Sequence, residues 1–246
     1  MPCFQDVFPM PKPIMAMLHL KGEDHEQVLV RAQQEADTLM RLGADALIVE
    51  DYFGDETDVI AVLQWLQRER PHYLYGVNLL DQLTRSYELA ETYGAKFMQV
   101  DSVAGHLVPE EDPAYEQECL ACQSRGTVLI LGGVRFKYKE VLSGRSLEED
   151  LGLGCQRCGA IVVTGEGTGM NTDLEKIRTF RQHLGDFPLV VGAGLTPETV
   201  GQQLLIGDGA IVGSCLKEGG KAENELSEEN IRLFMEEVQK LRRSLI

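Results

Sequence analysis

The chain has 246 residues, 43% of them hydrophobic and 25% charged, with 25 Gly, 9 Pro and 7% aromatics, a composition that argues against a disordered chain and leaves ample material for a core. Lys and Arg total 23 against 39 Asp and Glu, a formal net charge of −16, and no basic run is interleaved with aromatics, which argues against a nucleic-acid reader and against attraction to an anionic lipid surface. No apolar run approaches the ~20 residues of a membrane span, and the opening Met1-Pro2-Cys3-Phe4-Gln5-Asp6 lacks the basic and apolar regions of a signal peptide. A cytoplasmic protein with no direct membrane insertion is expected, its six cysteines reduced rather than bridged.

After a lead carrying Pro9, Pro11 and Pro13, eight short runs rich in Val, Ile, Leu and aromatics occur at 14–20, 45–50, 73–79, 96–101, 127–134, 159–164, 187–192 and 208–213, and each reads as a strand. Stretches with apolar residues at three- and four-residue spacing lie at 24–42, 57–69, 82–93, 113–124, 146–156, 172–184, 196–204 and 227–243, and read as helices. The even-numbered strands share a Gly-led entry, as in Gly43-Ala44-Asp45, Gly94-Ala95-Lys96, Gly159-Ala160-Ile161 and Gly207-Asp208-Gly209, with Gly ending the preceding helix. No linker or low-complexity break interrupts the alternation. Strand then helix, eight times, predicts one (β/α)8 TIM barrel over residues 1–246. An open doubly wound sheet uses the same alternation, but its spaced-glycine dinucleotide fingerprint after the first strand is missing.

Barrels of this kind place their chemistry at the carboxyl ends of the strands. Those ends carry His19, Glu50 with Asp51, Asn78, Asp101, Arg135 with Lys137, Thr164 with Gly165, Gly192 with Gly194, and Gly213 with Ser214. Because strand side chains alternate, Gln99 and Asp101 share one face, as do Gly76 and Asn78, and these polar residues are expected to point into the mouth. The loops after the seventh and eighth strands, Gly192-Ala193-Gly194-Leu195-Thr196-Pro197-Glu198 and Gly213-Ser214, let backbone N–H groups approach an anion, and a short helix after the eighth strand would complete a phosphate site. Thr196, Pro197 and Glu198 read as a helix cap, first turn and dipole-matched acid. A third Gly-rich loop, Thr164-Gly165-Glu166-Gly167-Thr168-Gly169, is expected to face the same rim.

Met17-Leu18-His19-Leu20, Ala46-Leu47-Ile48-Val49-Glu50, Gly76-Val77-Asn78, Thr164-Gly165 with Gly167-Thr168-Gly169, and Gly194-Leu195-Thr196-Pro197-Glu198 through Val212-Gly213-Ser214-Cys215-Leu216-Lys217 resemble the BtpA family. The likeness runs through most of the chain and is most specific in its last third. It implies a ribulose-phosphate-binding type of barrel; the family takes its name from a protein linked to photosystem I assembly, while other members sit among carbohydrate-handling genes. The family pattern closes the fifth strand with Asp-Val-His-Val-Lys-His, where this chain has Gly133-Val134-Arg135-Phe136-Lys137-Tyr138, and the second with Glu-Asn, where this chain has Glu50-Asp51. Lys137 alone survives of the charged set on strand five.

Two Cys-x-x-Cys pairs, Cys119/Cys122 and Cys155/Cys158, lie at the ends of neighbouring helices, where four thiolates would suit Zn²⁺; helical spacing also yields such pairs as separate buried thiols, the reading preferred here. The runs Glu110-Glu111-Asp112 and Glu148-Glu149-Asp150 begin helices and read as solvated dipole-matching acids, and His25, His72 and His183 read as isolated surface residues. No metal site is expected, and no cofactor is indicated. The expected function is binding, and acid/base transformation, of a small phosphorylated sugar or nucleoside. His19 would donate or accept a proton, Glu50 or Asp101 would be the carboxylate base, Asn78 would position substrate and Lys137 would neutralise charge. Gly165, Gly192, Gly194, Gly213 and Ser214 would hold the phosphate, in a homo-oligomer. The alternative is a noncatalytic assembly factor that contacts a protein partner of a membrane complex.

Overall fold

A computed structural model describes residues 2–245. Eight parallel strands close on themselves in sequence order: β1 (Ile14–Leu18), β2 (Ala46–Glu50), β3 (Tyr75–Asn78), β4 (Phe97–Ala104), β5 (Leu129–Val134), β6 (Ala160–Thr164), β7 (Leu189–Gly192) and β8 (Gly209–Val212). Each is followed by a helix, α2 (His25–Arg41), α3 (Glu56–Glu69), α4 (Leu83–Tyr93), α5 (Asp112–Arg125), α6 (Leu147–Arg157), α7 (Leu174–Leu184), α8 (Pro197–Ile206) and, last, α9 (Glu228–Ser244). This is the (β/α)8 TIM barrel expected from the alternation.

Strand period two splits the core into two layers. Met15, Met17, Ala46, Ile48, Phe97, Leu129 and Val162 fill the barrel interior, while Ile14, Ala16, Leu18, Leu47, Val49 and Ile130 face outward and bury the apolar stripes of the helices. Burial on both faces explains why the strands read as continuous apolar runs.

Two features depart from the expected layout. A short helix, α1 (Phe4–Val7), precedes the first strand and plugs the amino end of the barrel: Phe4 and Phe8 stack 5.0 Å apart, and Phe8 meets the inward Phe97 edge-on at 5.1 Å. Strand β4 also runs three residues past Asp101, with a register shift in its pairing to β5 between Val100 and Ala104. The bulge re-aims side chains. Beyond Asp101 the alternation breaks, and Val103 turns outward among the helix-facing residues. Gly133 on β5 permits this, since a Cβ there would lie 2.0 Å from the Asp101 carbonyl oxygen.

Among the described residues no helix is long and apolar enough to cross a membrane.

Candidate active site at the barrel mouth

The carboxyl ends of the strands surround a cavity of ≈ 150 Å³, open to solvent, lined by His19, Glu50, Asp101, Lys137, Gly192, Gly194, Gly213 and Ser214 among others. Strand pleat decides which neighbours enter it. Glu50 points in, whereas Asp51 accepts from Leu80 N at 3.0 Å and ties the end of β2 to the next loop. Arg135 turns away to bind the buried Asp150 at 2.8 Å and the Arg145 carbonyl at 2.7 Å, while Lys137 points in and donates from Nζ to Thr168 Oγ1 at 3.1 Å.

On the floor sits a polar quartet. Asn78 Nδ2 donates to Glu50 Oε1 at 2.8 Å and to Asp101 Oδ1 at 3.2 Å, so one amide bridges two carboxyl groups. Asn78 is 1% exposed and is not among the residues that line the cavity; its amide meets the two carboxyl groups instead. Gln99 Nε2 gives Asp101 Oδ1 a second donor at 3.3 Å. His19 Nε2 stands 3.7 Å from Glu50 Oε2, and its Nδ1 has no protein partner.

Burial, aided by the neighbouring Asp101 charge, pushes Glu50 up to about 8, so its carboxyl is protonated at neutral pH. Burial and the charges of Lys217, Lys137 and Arg31 lower His19 to about 3, leaving a neutral imidazole. Asp101 is also raised by burial, but the hydrogen bonds from Asn78 and Gln99 favour its anion. The floor thus sets a buried acid raised to about 8 beside a second carboxyl group that two donors favour as the anion, the kind of unequal pair that acid/base chemistry uses.

The opposite wall is built from backbone. In the loop after β7, Ala193 and Gly194 both have positive φ, and a Cβ on Gly194 would lie 2.0 Å from the Met170 carbonyl oxygen of the loop after β6. Gly194→Ala is therefore expected to separate the two loops and weaken any anion binding, with a loss of about 1–3 kcal/mol in stability; a variant that binds and unfolds like the parent would refute this packing. After β8 comes the expected short helix, a 3₁₀ turn over Ser214–Leu216, whose first N–H groups have no partner within the turn. Gly169 lies against Ser214. Gly165 does not line the cavity; its close neighbours are the carbonyls of Met170 and Asn171. Thr196 caps α8 as expected, its N–H donating to Thr199 Oγ1 at 3.0 Å.

Several residues were not singled out from sequence. Tyr52, Phe136 and Tyr138 complete the rim, where the Gly-rich loop after β6 also brings Thr164, Thr168 and Gly169, as expected. Lys217 is 1% exposed and pairs with Glu35 on α2 at 3.2 Å, fixing the loop after β8 while its charge acts on His19. The acidic runs also need correction. Asp112 and Asp150 are buried, not solvated: Asp112 receives Arg157 at 2.9 Å and Arg145 at 2.8 Å. His25 is not isolated, since its Nδ1 lies 2.6 Å from Asp58 Oδ1. With Asp55 it forms the one group of three or more potential metal-ligating side chains found among the described residues, and both aspartates already cap α3. The four sulfurs of Cys119, Cys122, Cys155 and Cys158 form no such group.

These features define a (β/α)8 barrel with a mouth site divided between a titratable floor and a glycine-rich wall. The chain belongs to the BtpA family, whose model matches residues 10–240. An uncharacterized protein of Thermococcus kodakarensis is 28% identical over 96% of this chain and 98% of its own length. The photosystem I biogenesis protein BtpA of Synechocystis is 26% identical over 91% of this chain and 87% of its own. Among solved structures, the native KDPGal structure superposes with a TM-score of 0.63 at 12% identity, covering 94% of this chain and 96% of that one. Phosphoribosyl anthranilate isomerase from Thermus thermophilus does so with a TM-score of 0.61 at 15% identity, covering 93% and 99%. At such identities the likeness is one of fold.

Proposed function

We propose that this barrel binds a small phosphorylated metabolite and transforms it by acid/base chemistry at the mouth. The observation that carries the reading is the Asn78 bridge, which holds the protonated Glu50 and Asp101 side by side across the cavity from the glycine-rich loops. Phosphate oxygens would take N–H groups of Gly194, Gly213 and Ser214, as the loops after strands seven and eight do in many such barrels. Lys137 would offset charge that develops on the substrate. Glu50 would donate a proton and Asp101 would accept one, while the neutral His19 would shuttle or orient it.

The name of the Synechocystis relative suggests, for that protein, a role in assembly. A partner-binding role on the outer surface would leave the buried quartet without a use, and burying polar groups costs stability. The enzymatic reading is therefore preferred.

The test is thermal. At a hundredfold excess over Kd, a ligand stabilises by about 2.7 kcal/mol, which for a chain of this size raises Tm by about 5–10 °C. Ribose 5-phosphate, glucose 6-phosphate and related phosphates should produce such shifts, and the parent sugars should not. Equal shifts for both groups, or none across the panel, would remove the phosphate site.

A further inference from the structure

A second cavity opens between the loops after β3 and β4, and Gln99 and Asp101 line both it and the mouth cavity. Val100 and Ser102, on the outward face of β4, also line it. Gln99 is 5% exposed and its Oε1 has no partner; His106, on the same wall, likewise leaves Nδ1 unpaired. A buried acceptor without a donor is costly, and such atoms mark places where a ligand group completes the bonding.

The charge balance of this second chamber indicates what enters it. Lys139 is paired with Asp81 at 2.5 Å, Arg85 with Glu56 at 2.6 Å and with Glu88 at 3.0 Å, and Glu118 accepts from Thr84 at 2.5 Å. Burial lowers His106 and keeps its ring neutral. The cations of this wall are thus already paired, and beyond the carboxylates of Asp101 and Glu118 the wall offers neutral donors and acceptors. An anion would find no free cation there, whereas hydroxyl groups both donate to Gln99 Oε1 and to the carboxylates and exchange bonds with His106. The ring of Tyr115, packed edge-on to His106 at 5.2 Å, adds an apolar face of the kind that suits C–H groups of a sugar.

We propose that the substrate has two parts: a phosphorylated part held in the mouth and a neutral polyhydroxylated part held in the second chamber, with the bond between them lying over Asp101. The inference rests on the phosphate reading above and narrows its substrate class to phosphorylated compounds that carry a second sugar-like group. The acid/base residues then sit beside the linkage that joins the halves.

Isothermal titration of the intact protein with ribose 5-phosphate, glucose 6-phosphate, trehalose 6-phosphate and sucrose 6-phosphate tests it. At least one of the two-part phosphates should bind about tenfold or more tighter than either one-part phosphate. The double variant Gln82→Ala/His106→Phe, altered at two residues that line the second chamber but not the mouth, should erase that excess and leave glucose 6-phosphate binding unchanged. Equal affinities for one- and two-part compounds, or an excess that survives in the variant, would overturn the two-part substrate while sparing the phosphate site. Failure of all four to bind would remove the phosphate reading, and this inference with it. Urea denaturation of the variant separates lost contacts from lost folding: a variant that unfolds early is replaced by Gln82→Ala alone, for which the same reduction in excess is required.

Discussion

Glu50→Gln is expected to lower turnover of a phosphorylated substrate by about 10²–10⁴-fold, the scale of a lost general acid or base, while the barrel stays folded. Glutamine keeps the size of Glu50 and still accepts from Asn78, so the floor retains its geometry. A pH signature accompanies the loss. The folded state holds Glu50 at about 8, against 4.5 ordinarily; its protonated form is therefore favoured by folding. That contribution is fully present below pH 4.5 and is lost as pH rises through 8. Glutamine cannot ionise, so the Tm of Glu50→Gln relative to the parent should climb between pH 5 and pH 8. Turnover by the parent should fall above pH 8 as the acid ionises. A variant that retains turnover, or whose relative Tm is flat across this range, would remove Glu50 from the role of acid.

Asp112→Asn is expected to cost about 3–5 kcal/mol, because removing one partner of a buried ion pair strands the other. Arg157 is fully buried; it grips both carboxylate oxygens of Asp112 and donates to the Val103 carbonyl at 3.0 Å. An asparagine would turn an N–H₂ group against the guanidinium. For a chain of this length the loss corresponds to a Tm drop of about 6–20 °C, readable by scanning calorimetry. The hydrogen bonds from Arg157, then Arg145, hold Asp112 down to about 2. Its contribution is present above pH 3.8 and is lost as pH falls through 2. Since Arg157 donates to the Val103 carbonyl at the bulged end of β4, the variant should also loosen the second chamber before the glycine-rich wall. A change within about 1 kcal/mol would show that the pair is replaceable.

The eight strands and their helices were legible because both periods recur cleanly along the chain: inward Met15 and Met17 alternate with outward Ile14, Ala16 and Leu18. The strand-end rule brought His19, Glu50, Asp101 and Lys137 to one cavity because each lies within about three residues of the carboxyl end of a strand. Other features left no periodic trace. The β4 bulge depends on how β4 pairs with β5, a relation between residues about thirty apart, and no local pattern encodes it. Phe4 and Phe8 are a four-residue pair in a Pro-rich lead, too short to signal a helix without the barrel end that receives them. Asp112 and Asp150 matched the rule for acids at helix starts, and only packing shows that arginines from other elements bury them. Asn78 was correctly placed at a strand end, but only packing shows that its amide meets the two carboxyl groups and that it does not line the cavity.

The seam of the barrel joins the two ends of the chain. Ile14 on β1 pairs with Ala210 on β8, Lys12 reaches the Gly207 carbonyl at 2.8 Å and Lys217 meets Glu35. During synthesis, β1 emerges from the ribosome almost two hundred residues before its second neighbour exists, and it waits with one edge unpaired. The glycine-rich wall belongs to that late segment. A nascent chain thus carries Glu50, Asn78 and Asp101 for many seconds, at translation rates of about 5–20 residues per second, without the wall that faces them, and the mouth becomes whole only when the newest part of the polypeptide locks against the oldest.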